Sequence, residues 1–130
     1  MNYKVDPVVS VIVTTKNEER NIGACLESVF QQSMTLFEMI VVDNYSEDKT
    51  AEIAREYGAD VFKKGPERSA QRNYGVKKAQ GRYILYLDAD MRLSSGLLED
   101  CVNRCEADSA ISGIYIPEII VGEGFWIKVR

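Results

Sequence analysis

Three short apolar runs, VVSVIV (8–13), MIVV (39–42) and YILYL (83–87), are nearly continuous, with almost no polar interruption. Such runs suit strands buried on both faces, the habit of a parallel sheet. Helical patterns separate them. Ile22, Leu26, Val29 and Phe30 recur at helical spacing behind Asn17, a residue suited to capping, and the acidic pair Glu18 and Glu19. Ala51, Ile53, Ala54 and Tyr57 form a second stripe, opened by the cap region 46–48 and closed by Gly58. A third helix is predicted over 68–80, before Gly81. A fourth carries Leu97, Leu98, Cys101, Val102 and Cys105 on one side, after Ser94 and Ser95. Further short strands are predicted over 60–63 and 110–116. This alternation predicts an α/β fold: a Rossmann-like, mostly parallel sheet flanked by helices, with right-handed crossovers. A ligand then belongs in the crevice beyond the carboxyl ends of the strands.

The 130 residues, 45% of them apolar, suffice for one domain with a real core, and no linker or repeat divides them. Histidine is absent, which removes Ser-His and Cys-His nucleophile pairs and His-bearing zinc sites. The net charge of −4 gives no overall positive field for nucleic acid, so no nucleic-acid partner is expected. The start, MNYKVDP, has no signal-like apolar stretch, and no run approaches the roughly 20 residues of a membrane span. Cys25, Cys101 and Cys105 form no C-x-x-C pair and read as buried thiols of a reducing, cytoplasmic compartment.

The strand ends carry the polar residues of interest. After the first run stand Thr14, Thr15, Lys16, Asn17 and Glu18, whose polar atoms face the crevice next to a helix N-terminus that favours anions. Asn17 is equally suited to capping that helix. After the second run, Asp43 is placed to accept hydrogen bonds from a ribose hydroxyl or a base N–H, and is equally suited to a turn. The third run ends on Asp88-Ala89-Asp90, two carboxylates that repel each other unless a cation shares them. Between Lys63 and Arg82 lie seven basic residues and one acidic residue, Glu67. Arg68 and Arg72 are four apart on one helix side and suited to a diphosphate, whereas Lys77, Lys78 and Arg82 read as a solvated face. Neither G-x-G-x-x-G nor G-x-x-x-x-G-K-[ST] occurs.

VSVIVTTKNEERNIGACLESVFQQ, IVVDNYSEDKTAEIAREYGADVF and ERSAQRNYGVKKAQGRYILYLDADM resemble, in order and spacing, the nucleotide-binding half of family 2 glycosyltransferases of the GT-A fold. The resemblance covers roughly residues 8–116. It implies Thr14 and Glu18 near the nucleoside, Asp43 at the base or ribose, and Arg72 with Asn73 lining the sugar-nucleotide site. Asp88 would stand at the ribose and diphosphate, and Asp88 with Asp90 would hold Mn²⁺ or Mg²⁺. The implied activity is inverting, metal-assisted transfer from a UDP- or GDP-sugar, because a carboxylate-held metal neutralises charge developing on the leaving phosphate. Many members have Pro at the Thr14 position and an aromatic at the Lys16 position.

The resemblance implies that the family's acceptor-binding half and its general base would lie beyond Arg130. The expectation is therefore a single domain over 1–130 that binds a donor. Its acceptor, whether saccharide, lipid phosphate or protein, stays open, as does membrane attachment through a longer parent. Apolar surface around Ile119, Ile120, Phe125 and Trp126 is expected to drive self-association. The alternative class is a nucleotide-binding or assembly module without turnover. A sugar-phosphate nucleotidyltransferase is a further alternative, opposed by TTKNEE where a Gly-rich basic loop would stand.

Overall fold

The computed structural model describes residues 6–34, 36–121 and 127–129. It divides into two compact units, residues 1–100 and residues 101–130. In the first, β1 (Val9–Thr15), β2 (Phe37–Asp43), β3 (Asp60–Lys63) and β4 (Tyr83–Asp88) form a parallel sheet in the order β3-β2-β1-β4. The connections are α1 (Ile22–Phe30), α2 (Thr50–Glu56) and α3 (Arg68–Lys78), and α4 (Leu97–Ala107) follows β4. The second unit holds most of α4 and an antiparallel pair, β5 (Ile119–Val121) with β6 (Ile127–Val129). Among the described residues no helix is long and apolar enough to cross a membrane.

β1 is paired on both sides and buried along its whole length, as its apolar run predicts. Side-chain alternation divides the core between the two faces. Ile12, Ile40 and Val42 pack with Phe62, Tyr74 and Ala79 on the side of α3. That helix comes so close at Gly75 that an added Cβ would lie 2.6 Å from Ile12 Cγ2. Val11, Val13 and Val41 are also fully buried, as are Ile22, Cys25, Leu26 and Val29 of α1.

Several expectations are corrected. The apolar run predicts β4 covered on both faces, but Ile84 and Tyr86 are 37% and 46% exposed, and among the described residues β4 stands at one edge of the sheet. Phe30 lies outside the α1 stripe at 60% exposure, its place taken by Cys25. Asn17 does not cap α1, which starts at Ile22. It adopts a left-handed φ of 52°, a conformation that Asn tolerates better than most residues. The strand expected over 110–116 is irregular, and β5 starts only at Ile119. That stretch is largely exposed and finds no strand partner among the described residues to take up its N–H and C=O groups. Of the cysteines only Cys25 is buried; Cys101 and Cys105 are half-buried. Phe125 and Trp126 of the expected association surface lie outside the described residues, as do the side chains of Ile119 and Ile120.

Candidate functional site

Parallel pairing aligns the strand ends. Thr14 is in register with Asp88 of β4, and Thr15 with Asp43 of β2. Two carboxylates thus flank the end of β1, one on each neighbouring strand.

Asp88 gathers the first cluster. Thr14 Oγ1 donates to its Oδ1 at 3.1 Å, Arg72 approaches the same oxygen at 3.6 Å, and Arg68 reaches Oδ2 at 3.5 Å. The arginine pair expected on one side of a helix is there, but both side chains turn to Asp88. Arg72 also lies over the Tyr86 ring, 5.4 Å from its centroid, and its Nε is buried with no hydrogen-bond partner. After Asp88 the chain turns: Met91 N–H donates to the Asp88 carbonyl, Ala89 is buried and Asp90 is exposed. Beneath this turn the Cys25 thiol donates to the same carbonyl at 3.7 Å. Burial, and then the charges of Asp90 and Asp88, push that thiol up to about 12. Both carboxylates therefore act on one buried group.

As a donor set this pair suits a hard divalent cation. Mg²⁺ and Mn²⁺ accept one or two carboxylates and fill their remaining positions with phosphate and water oxygens. Among the described residues no group of three His, Cys, Asp or Glu side chains assembles, so an all-protein metal cage is not offered.

Asp43 belongs to a second cluster. It has no exposed surface, and Ser46 satisfies both its oxygens, the hydroxyl at Oδ1 and the backbone N–H at Oδ2. The Ser46 hydroxyl in turn accepts from Asn17 N–H at 2.7 Å. Thr50 repeats the arrangement: its hydroxyl accepts from Glu18 N–H at 2.9 Å and donates to Asp48. Glu19 N–H donates to Asp48 at 3.2 Å, and Asn17 Oδ1 accepts from Glu47 N–H at 2.9 Å. Bonds from Thr50, first its hydroxyl and then its N–H, hold the Asp48 carboxyl below the usual range. The loops after β1 and β2 are thus bonded into one surface. The N–H groups of Asn17, Glu18 and Glu19, which the sequence offers to an anion, are already occupied. At the crest of the second loop, Tyr45 stands 61% exposed with a left-handed φ of 49°.

Glu18 is half-buried and accepts from Asn21 Nδ2, while Lys16 and Asn73 are exposed. The structure therefore brings Thr14, Arg68 and Arg72 to Asp88, and Asn17 through Ser46 to Asp43. It leaves Lys16, Asn73 and Asp90 open to solvent. From the sequence Ser46 reads only as part of a helix cap, and Thr50 and Gln71 carry no expectation. Gln71 is buried and donates to the carbonyls of Thr15 and Val42, at 3.1 and 2.8 Å, tying α3 to the ends of both central strands. The alternation of carboxylate and hydroxyl at 43, 46, 48 and 50 was the available signal for the first two. Gln71, lying between two arginines on a polar helix, offered none.

Known proteins carry the same arrangement of strands and helices. The TarS 1–349 structure from S. aureus aligns with 85% of the chain at a TM-score of 0.74 and 27% identity, the chain covering 38% of it. The mannosyltransferase PcManGT from Pyrobaculum calidifontis, in complex with GDP-Man and Mn²⁺, aligns over 82% of the chain at 0.72 and 26% identity, with 34% of its own length covered. Among curated relatives, the uncharacterized glycosyltransferase EpsJ of Bacillus subtilis is 30% identical over 126 residues, 92% of this chain and 34% of EpsJ. The chain spans well under half the length of the curated relatives it matches, from 14% of one to 41% of another. The model of glycosyl transferase family 2 matches residues 10–130. With that match, and with the parallel α/β sheet of GT-A neighbours, the chain belongs to glycosyl transferase family 2.

Proposed function

We propose that this chain is the donor-binding part of an inverting, metal-assisted glycosyltransferase that uses a UDP- or GDP-sugar. The observation that carries the reading is the Asp88 cluster, a carboxylate at the end of an edge strand with two arginines and the exposed Asp90 beside it. TarS structures with UDP and with UDP-GlcNAc, and the GDP-Man and Mn²⁺ complex of PcManGT, support it by likeness. Asp88 and Asp90 would hold Mn²⁺ or Mg²⁺, and the cation would neutralise charge on the leaving diphosphate. Arg68 and Arg72 add positive charge on the diphosphate side, where their guanidinium groups would make charge-assisted contacts with phosphate oxygens. Thr14 orients Asp88 through its hydroxyl. Glu18 and the joined loops, with Lys16 and Asn17 at their surface and Asp43 buried beneath Ser46, would form the nucleoside side. Asn73 follows Arg72 on the sugar side.

Calorimetry with UDP and GDP tests this. Binding should be much tighter with Mn²⁺ or Mg²⁺ than with EDTA, and Asp90→Asn should remove most of the difference. Equal affinity with and without metal would overturn the assignment.

A further inference from the structure

The Asp88 carboxylate is shared by a hydroxyl at 3.1 Å and two guanidinium groups at 3.5 and 3.6 Å. Both ion pairs are long and open to water, with the Arg68 and Arg72 side chains 65% and 39% exposed. Pairs of that kind hold weakly and exchange partners readily. Arg72 also carries an unmet donor. Its Nε is buried without a partner while its guanidinium rests over Tyr86, an arrangement that a further acceptor oxygen would complete. Arg68 opens α3 one turn earlier.

We infer that Arg68 and Arg72 are exchangeable counter-charges: they neutralise Asp88 while no divalent cation is bound, and pass to the phosphate oxygens of the donor when one binds. The inference rests on the donor-site reading and goes beyond it, making the arginines competitors of the metal as well as ligands of the anion. A cation arriving alone has to displace two positive groups from the carboxylate. With a diphosphate present, the displaced guanidinium groups gain a stronger, charge-assisted partner. Cation and nucleotide then favour each other's binding, by the same factor in both directions. The Thr14 hydroxyl is uncharged and can stay on Oδ1 throughout, keeping the carboxylate aimed during the exchange.

The two roles predict effects of opposite sign. Mn²⁺ binding is followed by electron paramagnetic resonance and UDP and GDP binding by calorimetry, on the wild type and on Arg68→Gln/Arg72→Gln. The double variant should bind Mn²⁺ alone roughly three- to tenfold more tightly than the wild type. It should bind the nucleotide with Mn²⁺ at least about tenfold more weakly. Its gain in Mn²⁺ affinity on adding nucleotide should nearly vanish. A folded double variant that binds Mn²⁺ alone no better than the wild type would overturn the exchange. Arg68→Gln, an exposed single change, repeats the Mn²⁺ measurement if the double variant melts early. A wild type that binds neither nucleotide under any condition would sink the donor reading, while the Mn²⁺-only comparison would still decide the competition at Asp88.

Discussion

Asp43 is a carboxylate with no exposed surface, and Ser46 supplies a donor to each of its oxygens. Taken as a crevice residue from the sequence, it would matter to a ligand and little to the fold. Its burial gives it weight in the fold, since a buried carboxylate has to be hydrogen-bonded to be tolerated. Ser46→Ala removes the hydroxyl and leaves the backbone N–H as the donor from this residue. Stability measured by urea denaturation should fall by about 1–3 kcal/mol, the usual cost of removing a hydrogen bond to a charged group. A variant as stable as the wild type would show that Asp43 does not depend on this hydroxyl. The same change frees the Asn17 N–H, so the loop after β1 should also lose protection against hydrogen exchange.

α3 shows how an element can hide its role. Arg68, Gln71, Arg72 and Gly75 recur at i, i+3, i+4 and i+7, the spacing of an inward face. The stripe is polar because it covers strand ends rather than strand middles. Two members meet Asp88, one bonds the carbonyls of β1 and β2, and Gly75 lets the helix approach Ile12. The sequence marks Arg68 and Arg72 on this side but gives no apolar stripe that would place Gln71 and Gly75 against the sheet. Gly75→Ala would place a methyl group against the branched, fully buried Ile12, which has little room to give. Overpacking of this kind should destabilise by about 1–3 kcal/mol in chemical denaturation. Because Arg68 and Arg72 ride on α3, the nucleotide–Mn²⁺ affinity should fall as well. Unchanged stability would mean that the helix can move away from the sheet without loss.

For the molecule as a whole, Cys25 links core and site: it is buried in the α1 stripe, and its thiol reaches the Asp88 carbonyl. Its pKa is raised from 9.0 to about 12, so its contribution to stability is complete below pH 9 and is lost as pH rises toward 12. The margin in melting temperature of wild type over Cys25→Ala should narrow across that window and stay constant from pH 6 to 8. A margin independent of pH would place the thiol in contact with water. By itself the sequence determined the α/β class, the three principal strands, the helices between them and the carboxylates at the strand ends. Run length and periodicity are local properties, and they survive whatever the rest of the chain does. Strand order, and the place of β4 at an edge among the described residues, were decided by which strands pair across long separations. The contacts that hold the left-handed turn at Asn17 and the convergence of Arg68 and Arg72 on Asp88 arise the same way. The contacts at Asp88 join residues 16 to 74 positions apart, at distances set only when the sheet forms and α3 settles across it.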